Sequence, residues 1–335
     1  MIPAIFGCSG PSLTEKERAF FAKVKPAGFI LFARNIESRE QVAALTADMK
    51  KTVGRHKVAI LIDQEGGRVQ RMTAPHWRKY PPMAVFGDMA RHDPTLAASA
   101  LRLNCRLLAD DLRRVGITVN CLPLLDVRQR NADPIIGDRA FSSDPQLVAS
   151  FGKITIDALQ AGGILPVIKH IPGHGRATVD SHLDLPVVDT PLATLDETDF
   201  APFRALKDAA FGMTAHIIYS DIDAEKPATL SRLVIARIIR MRIGFSGLLM
   251  TDDLSMKALK GDIGTLASDS IKAGCDLVLH CNGDMAEMRS VAENLTAGDN
   301  SVEKRLATLI RNAEHAPVPD RADLKRRYEE LMSRF

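Results

Sequence analysis

Short apolar runs alternate with longer amphipathic segments along the chain. The runs are AIF (4–6), GFILFA (28–33), VAILI (58–62), ITVNC (117–121), ILPVI (164–168), FGMTAH (211–216), GLLMT (247–251) and DLVLH (276–280), eight in all. Brief runs of this kind are what strands need when both faces of a parallel sheet are covered. Between them the spacing turns helical. Val42, Leu45, Met49 and Val53 form one stripe behind Ser38 and Gln41, which read as a capping box. Leu101, Cys105, Leu108, Leu112 and Val115 form another, with Gly116 where a C-terminal cap belongs. Ser231 precedes LVIARIIRMRI, which Gly244 closes, and DLSMKAL (253–259) reads as the start of a further helix. Eight βα alternations predict an α/β chain folded as a (β/α)8 TIM-type barrel. Pro166 removes a ladder donor inside the fifth run, so irregularity is expected there.

At 335 residues the chain is long enough for two ordinary domains or one large barrel. It has no internal repeat, low-complexity tract or linker, so a single catalytic domain over 1–335 is expected. The segment from about residue 316 forms a charged, helix-like tail, placed either on the barrel or against a partner. With 46% hydrophobic and 25% charged residues, and no apolar run near the ~20 residues that span a bilayer, a soluble protein without a membrane partner is expected. A net charge of +3, with no basic block, leaves no footprint for nucleic acid. The first residues lack a basic segment followed by an apolar one, and the five cysteines include no CxxC pair. A reducing, cytoplasmic setting is expected, with neither disulfides nor a zinc ribbon.

In such a barrel the reacting groups gather where the strands end. Past the runs stand Arg34 and Asn35, Asp63, Asp126 a little further on, Lys169 and His170, and Asp252 and Asp253, while His216 closes the sixth run and His280 ends the eighth. Titratable groups thus collect at one end. The richest stretch is KHIPGHGRATVDSH (169–182). Its His170 and His174 have the spacing of a helical zinc motif, but Pro172, Gly173 and Gly175 forbid a continuous helix, so no metal is expected. Asp180 and His182, two apart on a segment read as extended, can face the same way. A carboxylate beside an imidazole favours the protonated ring, giving a general acid that can become a general base.

Asp252 can supply the nucleophile, attacking an anomeric carbon while the acid on another loop protonates the leaving oxygen. Asp253 is read as the cap of the first turn of the helix that DLSMKAL begins. The loop DQEGGRVQRM (63–72) lacks a phosphate-binding pattern, but its Asp63, Glu65, Arg68 and Arg71 can clamp vicinal hydroxyls. Glu65 is the first of these to be assigned to structural pairing.

Together, GFILFARN, IDQEGGRVQR, IIGDRAF, KHIPGHGRATVDSH, MTAH and TDDLSM resemble the family 3 glycoside hydrolases. Within them the chain is similar to the bacterial β-N-acetylhexosaminidases of peptidoglycan recycling, over roughly residues 1 to 300. The resemblance implies Asp252 as nucleophile, His182 as acid/base and Asp180 as its partner. It also implies that Asp63, Arg71, Arg139, Lys169 and His170 hold the N-acetylglucosamine hydroxyls. The implied activity is a cofactor-free, retaining exo-β-N-acetylglucosaminidase acting on muropeptide glycans, expected as a monomer. Two alternatives stay open: a metal-dependent barrel hydrolase, and phosphorolysis by the same fold, since a histidine that has given up its proton does not repel phosphate.

Overall fold

The computed structural model describes residues 1–296 and 300–335. All eight apolar runs are strands: β1 (Ile2–Phe6), β2 (Pro26–Leu31), β3 (Ala59–Ile62), β4 (Val119–Asn120), β5 (Leu165–Ile171), β6 (Phe211–Thr214), β7 (Leu248–Asp253) and β8 (Leu277–His280). Each pairs in parallel with its neighbours in chain order, and β8 pairs with β1 to close the barrel. The fold is a (β/α)8 barrel of the TIM type.

Side-chain alternation divides the barrel core. Ala59, Leu61, Leu165, Val167, Leu248, Met250, Leu277 and Leu279 fill the interior, whereas Ile60, Ile62, Ile168, Leu249 and Val278 pack outward against the helices. Leu306 and Ile310 of the helix Asn300–Glu314 join the interior cluster. The tail helix Arg321–Met332 buries Leu324 and Tyr328 and pairs Arg321 with Asp110 and Asp111 of the helix Pro94–Arg114. Of the two placements left open for the tail, the barrel surface is the one found.

Pro166 disturbs less than expected. Leu165 and Val167 donate their N–H groups toward β4, so alternation turns position 166 toward β6. Pairing with β6 starts only at Val167–Phe211, and the missing donor falls outside the ladder. β4 is short, with two regular residues before the chain leaves toward Pro123, and the β5–β6 pairing shifts register further along, between Lys169 and Ile171.

Three local expectations need correction. Ser38 caps its helix by accepting from the Gln41 N–H, but the Gln41 carboxamide accepts from Glu37 rather than from Ser38, so the box is half formed. Ser231 Oγ accepts from the Val234 N–H as a cap does, yet Val234–Arg242 winds as a π-helix. DLSMKAL is a turn; the next helix begins at Ile263. Asp253 still receives the Ser255 N–H and hydroxyl, so its capping role survives on a turn.

Candidate active site

Interior parity carries straight into the mouth of the barrel. One step of two beyond Leu61, Val167 and Met250 stand Asp63, Lys169 and Asp252, all lining a cavity of about 460 Å³. Arg71, Arg139, His170 and His182 line the same cavity. His170 has the opposite parity from Lys169, and the pairing of β5 with β6 shifts register between Lys169 and Ile171.

On one wall four charges interlock. Lys169 Nζ lies 2.9 Å from Asp63 Oδ1 and 2.7 Å from Glu65 Oε1. Glu65 also receives Arg139 through Nε at 2.9 Å and Nη2 at 2.8 Å, a fork matched to its two oxygens. Burial works against ionising Glu65, yet the Arg139 and Lys169 charges hold its carboxyl below the ordinary range. Asp63 is partly buried, which opposes its ionisation, but Lys169 and Arg71 hold its carboxyl well below that range. Glu65 is therefore structural, as expected. Arg139 spends three of its five donors on Glu65 and on the Ile135 carbonyl, which leaves two for a ligand. Arg71 reaches Asp63 at 3.3 Å and stacks over Phe32 at 5.1 Å, while its Nε is buried without a hydrogen-bond partner among the described residues.

At the end of β7, Asp252 Oδ1 accepts the Asp253 N–H at 2.8 Å. Burial opposes its ionisation, but neighbouring His170 and His216 keep its carboxyl below the ordinary range. His216 is fixed by Thr229 at Nδ1 and by the Asp253 carbonyl at Nε2, 3.0 Å away. A carbonyl only accepts, so Nε2 carries the proton. Asp126, noted at a strand end but given no role, proves to be a hub. It accepts the backbone N–H groups of His170 and His174 and sits 2.8 Å from His170 Nδ1.

Asp180 and His182 do meet, though not on an extended segment. Their chain is a turn: Leu183 and Asp184 both donate to the Asp180 carbonyl. Asp180 Oδ1 accepts the His182 backbone N–H at 2.8 Å and lies 2.7 Å from its Nδ1. An Asx turn, rather than strand pleating, aligns the pair. Burial pushes Asp180 up, but the hydrogen bonds and charge of His182 together outweigh it, so its carboxyl lies below the usual value. Gly173 and Gly175 lie in the packed part of this loop. A Cβ at Gly175 would sit 2.0 Å from the Val127 carbonyl oxygen. His174 supports the loop, its Nε2 lying 3.2 Å from Ser181 Oγ.

The family model for the glycosyl hydrolase family 3 N terminal domain matches residues 7–311. A beta-hexosaminidase of Xanthomonas euvesicatoria pv. vesicatoria is 37% identical over 297 residues, 88% of this chain and 86% of that protein. The crystal structure of NagZ from Neisseria gonorrhoeae in complex with N-trifluoroacetyl-D-glucosamine superposes with a TM-score of 0.85 at 32% identity, covering 99% of this chain and 96% of the other. A family 3 beta-N-acetylglucosaminidase from Paenibacillus sp. str. FPU-7 gives a TM-score of 0.86 at 27% identity, over 98% of this chain and 67% of that one. The chain belongs to glycoside hydrolase family 3. Within that family it groups with the β-N-acetylhexosaminidases.

Proposed function

We propose that the protein is a retaining exo-β-N-acetylglucosaminidase that removes terminal β-linked N-acetylglucosamine from peptidoglycan-derived muropeptides. The observation that carries this reading is the pairing of an ionised Asp252 with an Asp180–His182 dyad around one cavity. Asp252 attacks the anomeric carbon from below the sugar. His182 has Nδ1 committed to Asp180, so a proton on Nε2 belongs to the imidazolium form and is the one given to the glycosidic oxygen. The glycosyl-enzyme forms as the aglycone leaves; the neutral ring then takes a proton from water, and two inversions retain the β configuration.

The wall of fixed charges supports sugar binding. Asp63 is held ionised, with lone pairs left for hydroxyls, and Arg71 Nε is a buried donor without a partner among the described residues, which supports its use by a bound sugar. A cavity of about 460 Å³ suits one terminal sugar better than a continuous chain, which supports the exo mode. The five cysteines are free and buried, in keeping with a cytoplasmic enzyme. Among the described residues no helix is long and apolar enough to cross a membrane. The tail helix packs on the barrel, and we read the whole as one catalytic unit acting as a monomer.

The test is turnover of a muropeptide, with products identified by mass spectrometry and the first-formed anomer by NMR, with and without phosphate. Free N-acetylglucosamine released as the β anomer is expected. A sugar phosphate would favour the phosphorolytic alternative, and loss of activity with chelator would favour the metal-dependent one.

A further inference from the structure

The loop after β5 has two unlike halves. From Ile171 to Gly175 it is buried throughout, whereas from Thr178 to Asp184 only Ser181 is buried, at 3% exposure. A hydroxymethyl group offers little apolar area to drive such burial. What holds Ser181 in place is polar. Its Oγ lies 3.2 Å from His174 Nε2, and its carbonyl accepts the Ala258 N–H at 3.2 Å. Both anchors are themselves placed. The His174 N–H donates to Asp126 at 2.7 Å, and Ala258 stands on the turn that follows Asp252 and Asp253.

We propose that Ser181 is a positioning residue that sets the Asp180–His182 dyad against Asp252, tied to Asp126 through His174 and to the turn after Asp252 through Ala258. The inference rests on the reading of His182 as the acid/base. Burial and the neighbouring His170 pull His174 down to about 4, so its ring is neutral at working pH and presents one donor and one acceptor. The serine hydroxyl complements either tautomer. Because Ser181 lies between the two dyad residues in sequence, losing its Oγ contact releases the turn that aligns them while the sugar-holding wall stays intact. The defect should therefore appear in leaving-group protonation and not in sugar affinity.

The experiment measures kcat/KM, which reports steps through formation of the glycosyl-enzyme, for aryl β-N-acetylglucosaminides of graded leaving-group pKa. Ser181→Ala should lose about ten- to a hundredfold on poorly activated aglycones and far less on the dinitrophenyl glycoside. Inhibition by N-acetylglucosamine should hold within about twofold, and Ser181→Thr should recover most of the loss. In a double-mutant cycle, His174→Ala should add little to Ser181→Ala. An equal loss across the series, no loss at all, or strict additivity with His174 would overturn the proposal. His182→Ala runs alongside. If that variant shows no leaving-group dependence, the acid/base reading fails; if it does and Ser181→Ala does not, only the positioning role fails. Should Ser181→Ala not fold, the His174→Ala series carries the same test.

Discussion

Oδ2 of Asp252 lies 4.0 Å from Nε2 of His170, whose Nδ1 is held at 2.8 Å by the buried carboxylate of Asp126. The first distance exceeds a hydrogen bond, so the ring orients the carboxylate without occupying its lone pairs. The second fixes which nitrogen faces the nucleophile. Asp252 is thus kept ionised by the neighbouring imidazoles while one oxygen stays available for attack.

Asp252→Ala is expected to lower turnover of an aryl β-N-acetylglucosaminide by at least ~1000-fold, about 4 kcal/mol of transition-state stabilisation. Mass spectrometry of a fluorosugar-trapped enzyme should place the added mass on Asp252. Label on Asp253 would overturn the assignment, since both its oxygens are engaged by Ser255 and the Cys281 N–H.

The barrel was legible because each strand announces itself locally, as an apolar run buried on both faces. The mouth was legible in part for the same reason. Counting by twos from Leu61, Val167 and Met250 already points Asp63, Lys169 and Asp252 inward, a signal stronger than their mere position at strand ends. What could not be read is nonlocal or conformational. Glu65 and Arg139 meet across 74 positions, and Asp126 and His170 across 44. Spacing alone favoured an extended DSH segment, whereas the Asp180 side chain folds it into a turn. Nothing in the sequence singles out Ser181; only its burial does.

Lys169→Met should be strongly destabilising. The Lys169 side chain is 2% exposed and bridges Asp63 and Glu65, so its removal leaves the buried Glu65 and the partly buried Asp63 sharing Arg139 and Arg71. Breaking a buried ion pair from one side costs about 3–5 kcal/mol. Denaturant midpoints check this; a loss below about 1 kcal/mol would mean that the arginines alone satisfy both carboxylates.

Asp126 ties stability to pH. Its burial opposes ionisation, but His170 and the two backbone donors bring its carboxyl down from 3.8 to about 2. A depressed folded-state value contributes stability above the ordinary carboxylate pKa, and the contribution is lost as pH falls from about 4 toward 2. The linkage amounts to about 2 kcal/mol. Asp126→Asn should therefore be less stable at neutral pH and lose less stability on acidification. Unfolding midpoints taken between about pH 5 and 2.5 for both proteins decide it, and parallel curves would contradict it.

Arg71 sets binding against stability. Its Nε is buried without a partner among the described residues, a state that costs about 1–3 kcal/mol unless an acceptor arrives. Bound sugar would supply that acceptor, so the expense is recovered only in the complex. Arg71→Met keeps an apolar side chain but removes the guanidinium that stacks over Phe32, and with it the unsatisfied donor and the contact to Asp63. KM is expected to rise about ten- to a hundredfold with kcat little changed, the pattern of lost uniform binding. Thermal stability should hold or increase, because the Asp63 contact is a loose 3.3 Å and Lys169 still neutralises that carboxylate. A variant that melts several degrees lower with KM unchanged would show that Arg71 braces the wall and does not hold the sugar.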